Sequence, residues 1–187
     1  MVAVTVLALG LRLVGIAFGP YHPDEHLIIN HSLAFGAGDL NPHLFYFPTF
    51  FMYLLFGVYG IFYLLGLAAG KFHGQDDLIA LYLVSPQVFY VLGRVVSASF
   101  GAATVILTYR LGKACKNSRT GAAAALLLAV NFLHVRDSHF ATMDVALTFF
   151  MTLSLWFLMS YLNEKKQGAY RWAAFTAGMA AAVKYNG

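Results

Sequence analysis

Six stretches of this chain, residues 2–18, 44–69, 84–111, 121–133, 145–162 and 172–183, are long apolar runs with few charges. Roughly 20 apolar residues in a helix cross the hydrocarbon core of a bilayer. Over the 187 residues, 60% are hydrophobic and 11% charged, against about 25% charged in a soluble domain. Such a chain cannot cover itself with polar surface. The expected fold is all-α, a polytopic transmembrane helical bundle. The lone cysteine, Cys115, excludes an internal disulfide. No P-loop, no G-x-G-x-x-G and no basic stripe interleaved with aromatics is present, so nucleotide and nucleic-acid binding are set aside. The first apolar run lacks a basic leader and has Arg12 in its middle, which argues against a secretory signal. The last run stops without a polar tail, as expected of the N-terminal piece of a longer protein.

Lys and Arg in short loops mark the cytoplasmic side. "RLGKACKNSRT" and "NEKKQGAYR" carry them, and the two runs between these loops put "HVRDSHFATMD" outside. Counting backward, residues near 70–85 are also outside. If Met1 is cytoplasmic, residues 2–18 deliver "YHPDEH" to that same face. Residues 44–69 then begin and end outside, despite being long enough to span. Pro42 and Pro48 break the start of that run, and its many Phe and Tyr residues suit headgroup depth. The expected arrangement is five crossings, near 2–18, 84–111, 120–135, 144–162 and 171–187. A large outer loop, 19–85, carries interfacial helices, the first starting near Pro23 or Asp24 and closed by Gly36 or Gly38. The competing arrangement makes 44–69 an ordinary span.

Charged residues beside so much apolar sequence are the candidates for chemistry. Asp24 and Glu25 follow the first run, and either is a natural helix cap. His134, Arg136, Asp137, His139 and Asp144 gather at the second outer turn. Two acidic groups flanking a cavity suit acid/base chemistry or a divalent cation, Mg or Mn. Lys184 lies about 20 Å up the last helix from Arg171. An ionisable group in that position either serves function or snorkels to the interface. Lys184 and Arg136 are suited to a lipid phosphate. Arg12 and Arg94 interrupt apolar runs and are expected to pair with carboxylates for structural reasons. His22, His26 and His139 do not have zinc-site spacing.

"HPDEH", "GRVVSASFGAATVILTYRLGK", "RDSHFATMDVALTFF" and "AAVKYNG", in this order, resemble the N-terminal part of C-type (GT-C) membrane glycosyltransferases. The resemblance is to the branch of dolichyl-phosphate-mannose-protein mannosyltransferases and aminoarabinose lipid A transferases. It implies a polyprenyl-phosphate-linked sugar donor, a protein, lipid or glycan acceptor, and membrane lipids around the site. It implies a prokaryotic plasma membrane with the active site facing outward. Carried over residue by residue, Asp24 is the catalytic base with Glu25 beside it. Asp144 and His139 position the acceptor or a cation, and Lys184 and Arg136 bind the donor phosphate. No metal is assigned. The alternative from another class is an ion or solute transporter with Asp24, Asp144 and Lys184 in its pathway; a structural membrane subunit is the third.

Overall fold

The computed structural model describes residues 1–18 and 21–185 and contains helices but, among them, no strand. The helices run α1 Val2–Leu13, α2 Pro23–Ala34, α3 Phe50–Ala68, α4 Gln75–Val84, α5 Gln87–Cys115, α6 Ser118–Ala129, α7 Phe132–Asp137, α8 Met143–Glu164 and α9 Gln167–Val183. Of these, α3, α5 and α8 are long and apolar enough to cross a membrane. The molecule is a helical membrane bundle.

Two expected crossings, 84–111 and 144–162, correspond closely to α5 and α8. The others are shorter or broken. The first apolar run is helical only to Leu13, and the run near 120–135 is split into α6 and α7, with Asn131 capping α7 through its side chain. Residues 19–20 of the outer loop and 186–187 of the last expected crossing lie outside the described residues.

Lipid tails are as apolar as leucine, so close contact rather than hydrophobic burial draws membrane helices together. α5 is built for that. A Cβ on Gly121 of α6 would stand 2.4 Å from the Tyr109 carbonyl oxygen of α5, and one on Gly112 would stand 2.8 Å from Gly121 Cα. Ala125 and Ala129 continue the contact, both fully buried. On the same helix, a Cβ at Gly93 would come within 2.8 Å of Ala141 Cβ, and one at Gly101 within 2.5 Å of Ser138 Oγ. These two glycines let the α7–α8 turn lie directly on α5.

Arg12, fully buried near the end of α1, donates to the carbonyls of Ala8, Ala129 and Leu128 and contacts His134 Nδ1 at 2.9 Å. The expected carboxylate partner is replaced by the carbonyl end of α6, where unsatisfied C=O groups and the helix dipole both favour a cation. This contact ties the end of α1 to the α6–α7 break.

The larger apolar core sits where α2 and α3 meet α5, α8 and α9. Ile28 and Ile29 of α2, Phe51 and Leu55 of α3, Phe89 of α5 and Val183 of α9 are all fully buried there. α2 ends in a 3₁₀ turn, Phe35–Ala37, closed by Gly38 in the left-handed region. α3 runs antiparallel to one end of α5. Its Phe50 meets Phe150, which in turn meets Phe100, whereas its Phe62 meets Phe89. The buried Tyr59 hydroxyl donates to Phe89 O at 3.1 Å, which satisfies its one polar atom.

Because the Tyr109 carbonyl belongs to helix backbone and cannot swing aside, Gly121→Ala should destabilise the bundle by about 1–3 kcal/mol. Thermal unfolding in detergent checks this. Gly178→Ala serves as control, since a Cβ there meets nothing within 4 Å.

Candidate active site

Pro23 opens α2 at its first helical position, where a missing N–H costs nothing. His22 is the N-cap: its Nδ1 accepts from Asp24 N at 3.2 Å, while Glu25 Oε2 accepts from His22 N at 2.9 Å. The reciprocal arrangement is a capping box with histidine in the usual place of serine or threonine. Asp24 is thereby relieved of capping. It is the second residue of the helix, its side chain 45% exposed, with one carboxylate oxygen 3.9 Å from His22 Nδ1. As that nitrogen already accepts a hydrogen bond from the backbone, its 3.9 Å contact with the Asp24 carboxylate is not a hydrogen bond.

Glu25 has a different fate from its neighbour. Its side chain is fully buried. Oε1 accepts from Arg94 Nε at 2.8 Å and from Ala141 N at 2.7 Å, and Oε2 accepts from Arg94 Nη2 at 2.9 Å as well as from His22 N. All four acceptor positions of the carboxylate are filled. Glu25 is therefore placed as the joint between α2, α5 and the turn before α8, and not with Asp24 at an open surface. Arg94 also donates to Ile16 O and lies 5.6 Å from the Tyr21 ring and 5.8 Å from the Phe140 ring.

That joint sets the first loop against the second. A cleft of about 450 Å³ lies between them, lined by His22, Arg136, Asp137, Phe140, Thr142 and Asp144. Asp144, like Asp24, is the second residue of its helix, behind the N-cap Thr142. Lys184, at the C-cap of α9, donates to Asp144 Oδ1 at 2.5 Å. Arg136 pairs with the adjacent Asp137 at 2.7 Å. His139 turns away from the cleft, its Nδ1 2.8 Å from Val135 O and its Nε2 3.0 Å from Val14 O. It braces the end of the first helix against α7.

Of the residues singled out in the sequence, the structure brings Arg136 and Asp144 into the cleft, with Lys184 joined to Asp144. Asp24 stands beside the cleft, next to its wall residue His22. Glu25 and His139 are held elsewhere. Phe140 and Thr142 carry no signal in the sequence beyond their position between Asp137 and Asp144. His22 drew notice only as an unsuitable zinc ligand. Among the described residues, no group of three or more His, Cys, Asp or Glu side chains is arranged to hold a metal ion.

Residues 90–187 match the dolichyl-phosphate-mannose-protein mannosyltransferase family. The chain belongs to that family. The matched part contains Arg94, the whole Asp137–Asp144 turn and Lys184; Asp24 and Glu25 precede it. An uncharacterized protein of Aquifex aeolicus (strain VF5) is 30% identical over 92 residues, 49% of this chain. The match spans 18% of that relative's length. No solved structure matches. The family and the three apolar helices together make this an integral membrane protein, and the match lends nothing to the transporter alternative.

Removing one partner of a buried ion pair leaves the other charge uncompensated, at about 3–5 kcal/mol. Glu25→Ala should cost stability of that order, measured by thermal unfolding in detergent. Combining Glu25→Gln with Arg94→Met should recover part of the loss.

Proposed function

We propose that the chain is the N-terminal part of an inverting glycosyltransferase that moves a sugar from a polyprenyl-phosphate carrier to an acceptor hydroxyl at the outer membrane face. The observation that carries the reading is the cleft shared by the first loop, through His22, and the Asp137–Asp144 turn, in a chain of this family. Asp24, half exposed beside that cleft, accepts the proton of the acceptor hydroxyl. The freed oxygen lone pair attacks the anomeric carbon from the face opposite the carrier phosphate. The bond from that carbon to the phosphate oxygen breaks, and its electrons stay on the leaving phosphate. Lys184 and Arg136 neutralise the charge that develops there, where a preorganised cation is worth more than in water. The acceptor is a protein, lipid or glycan hydroxyl, and the membrane a prokaryotic plasma membrane.

The same reading makes α3 part of the outer loop, with no net crossing. Two observations support it. α3 packs against α2, the α5 segment around Phe89–Phe100, the start of α8 and the end of α9. Were α3 to span, "YHPDEH" and the Asp137–Asp144 turn would fall on opposite faces, or the basic loops after α5 and α8 would break the positive-inside rule.

Release of sugar from a radiolabelled polyprenyl-phosphate sugar by the full-length protein tests the chemistry. Asp24→Asn should lower the rate by about 10²–10⁴, the contribution of a positioned base, with unfolding temperature unchanged. Wild-type rates from Asp24→Asn would remove the proposed base. Topology has its own test. Single cysteines at 24, 75 and 137, in a chain with Cys115 replaced, should all react with an impermeant thiol reagent from outside. Labelling of 24 and 137 from opposite sides would dissolve the shared site.

A further inference from the structure

α8 is a 22-residue helix whose N-terminus opens on the cleft, and its N-cap does not cap it. Thr142 has extended backbone, φ −110° and ψ 165°, as an N-cap should, yet its side chain makes no hydrogen bond to the first turn. His22, Asn117 and Asn131 do cap α2, α6 and α7. Elsewhere in the bundle Thr104, Thr108, Thr148, Thr152 and Thr176 each donate to a carbonyl one turn back. The Thr142 hydroxyl has no hydrogen-bond partner among the described residues. Thr142 is nevertheless 96% buried, at 4% relative exposure, and the part that remains accessible lines the cleft.

The side chain is almost wholly enclosed, yet its hydroxyl keeps its donor unused where the residue lines the cleft. Here it stands beside the open N–H groups of a helix N-terminus, where backbone donors and the helix dipole both favour an anion. The two features point to one ligand chemistry, an oxyanion. The carboxylates nearby do not forbid it, because each is matched by a cation: Asp144 by Lys184 at 2.5 Å, Asp137 by Arg136 at 2.7 Å. Lys184 reaches this end of the cleft because Asp144, the second residue of α8, holds it there.

We infer that the phosphate of the lipid-linked donor sits on the N-terminus of α8, accepting hydrogen bonds from the Thr142 hydroxyl and the first-turn N–H groups, with Lys184 shared between the phosphate and Asp144. This rests on the lipid-phosphate donor proposed above and adds Thr142 to the residues that hold it. Asp144 becomes a positioning residue, acting through Lys184 on the donor side. As the sugar leaves, the donors already point at the oxygen that takes up the charge.

Full-length protein in nanodiscs of zwitterionic lipid is titrated with a short-chain polyprenyl phosphate and, in parallel, with the polyprenol of equal length. Wild type should prefer the phosphate. Thr142→Val keeps the side-chain shape and removes the donor, and a hydrogen bond to a charged group predicts a loss of about tenfold or more for the phosphate. Affinity for the alcohol and unfolding temperature should not move, and Thr142→Ser should restore phosphate binding. In turnover assays the donor KM should rise more than kcat falls. Wild-type phosphate affinity in Thr142→Val, or equal losses for phosphate and alcohol, would overturn the inference and leave the donor reading standing. A wild type indifferent to the phosphate would overturn both.

Discussion

The contact between Glu25 and Arg94 holds the architecture of the site together. A carboxylate and a guanidinium both out of water carry a large desolvation penalty, offset only when geometry is good and the remaining lone pairs are used. Here the fork is bidentate and the two leftover lone pairs accept from Ala141 N and His22 N. Those two N–H groups belong to the two loops that face each other across the cleft. One interaction thus fixes the separation of the loops and, with it, the place of every polar group between them. His139 repeats the theme on a smaller scale by bracing Val14 against α7.

The membrane explains why so few groups do so much. In hydrocarbon the helices gain little from apolar burial against one another, so α5 and α6 rely on glycine and alanine to approach closely. The greater share of large buried side chains sits with α2 and α3, which pack against α5, α8 and α9. The cleft is bordered by two ion pairs, a half-exposed carboxylate and an uncapped helix terminus.

Much of this was legible in the residues because charge is expensive in an apolar chain. Arg94 and Lys184 interrupt or end apolar runs, and each has a carboxylate partner in the structure, Glu25 and Asp144. Arg12 shows where that reasoning stops. A buried guanidinium needs acceptors rather than a carboxylate, and the end of α6 provides them. The break between α6 and α7 was equally hidden, since Val130 and Asn131 sit inside an apolar run whose hydropathy says nothing about capping. Thr142 carries no signal of its own in the sequence, since a threonine before an apolar helix is an ordinary cap. Only its unused hydroxyl distinguishes it.

The sequence by itself determined that this is a helical membrane protein with acidic and basic residues clustered at two turns. Bilayer thickness and the cost of exposing charge to lipid leave no other use for such runs. Residue chemistry alone does not separate Asp24 from Glu25, two adjacent carboxylates at a helix start; only the family resemblance favours Asp24. Tertiary structure decided that, because successive residues on a helix point about 100° apart. One carboxylate turns inward to Arg94 and is consumed as a joint; the other stays about half exposed beside His22. Which of two like groups remains free to react depends on what packs against the helix, and that is a property of the folded molecule alone.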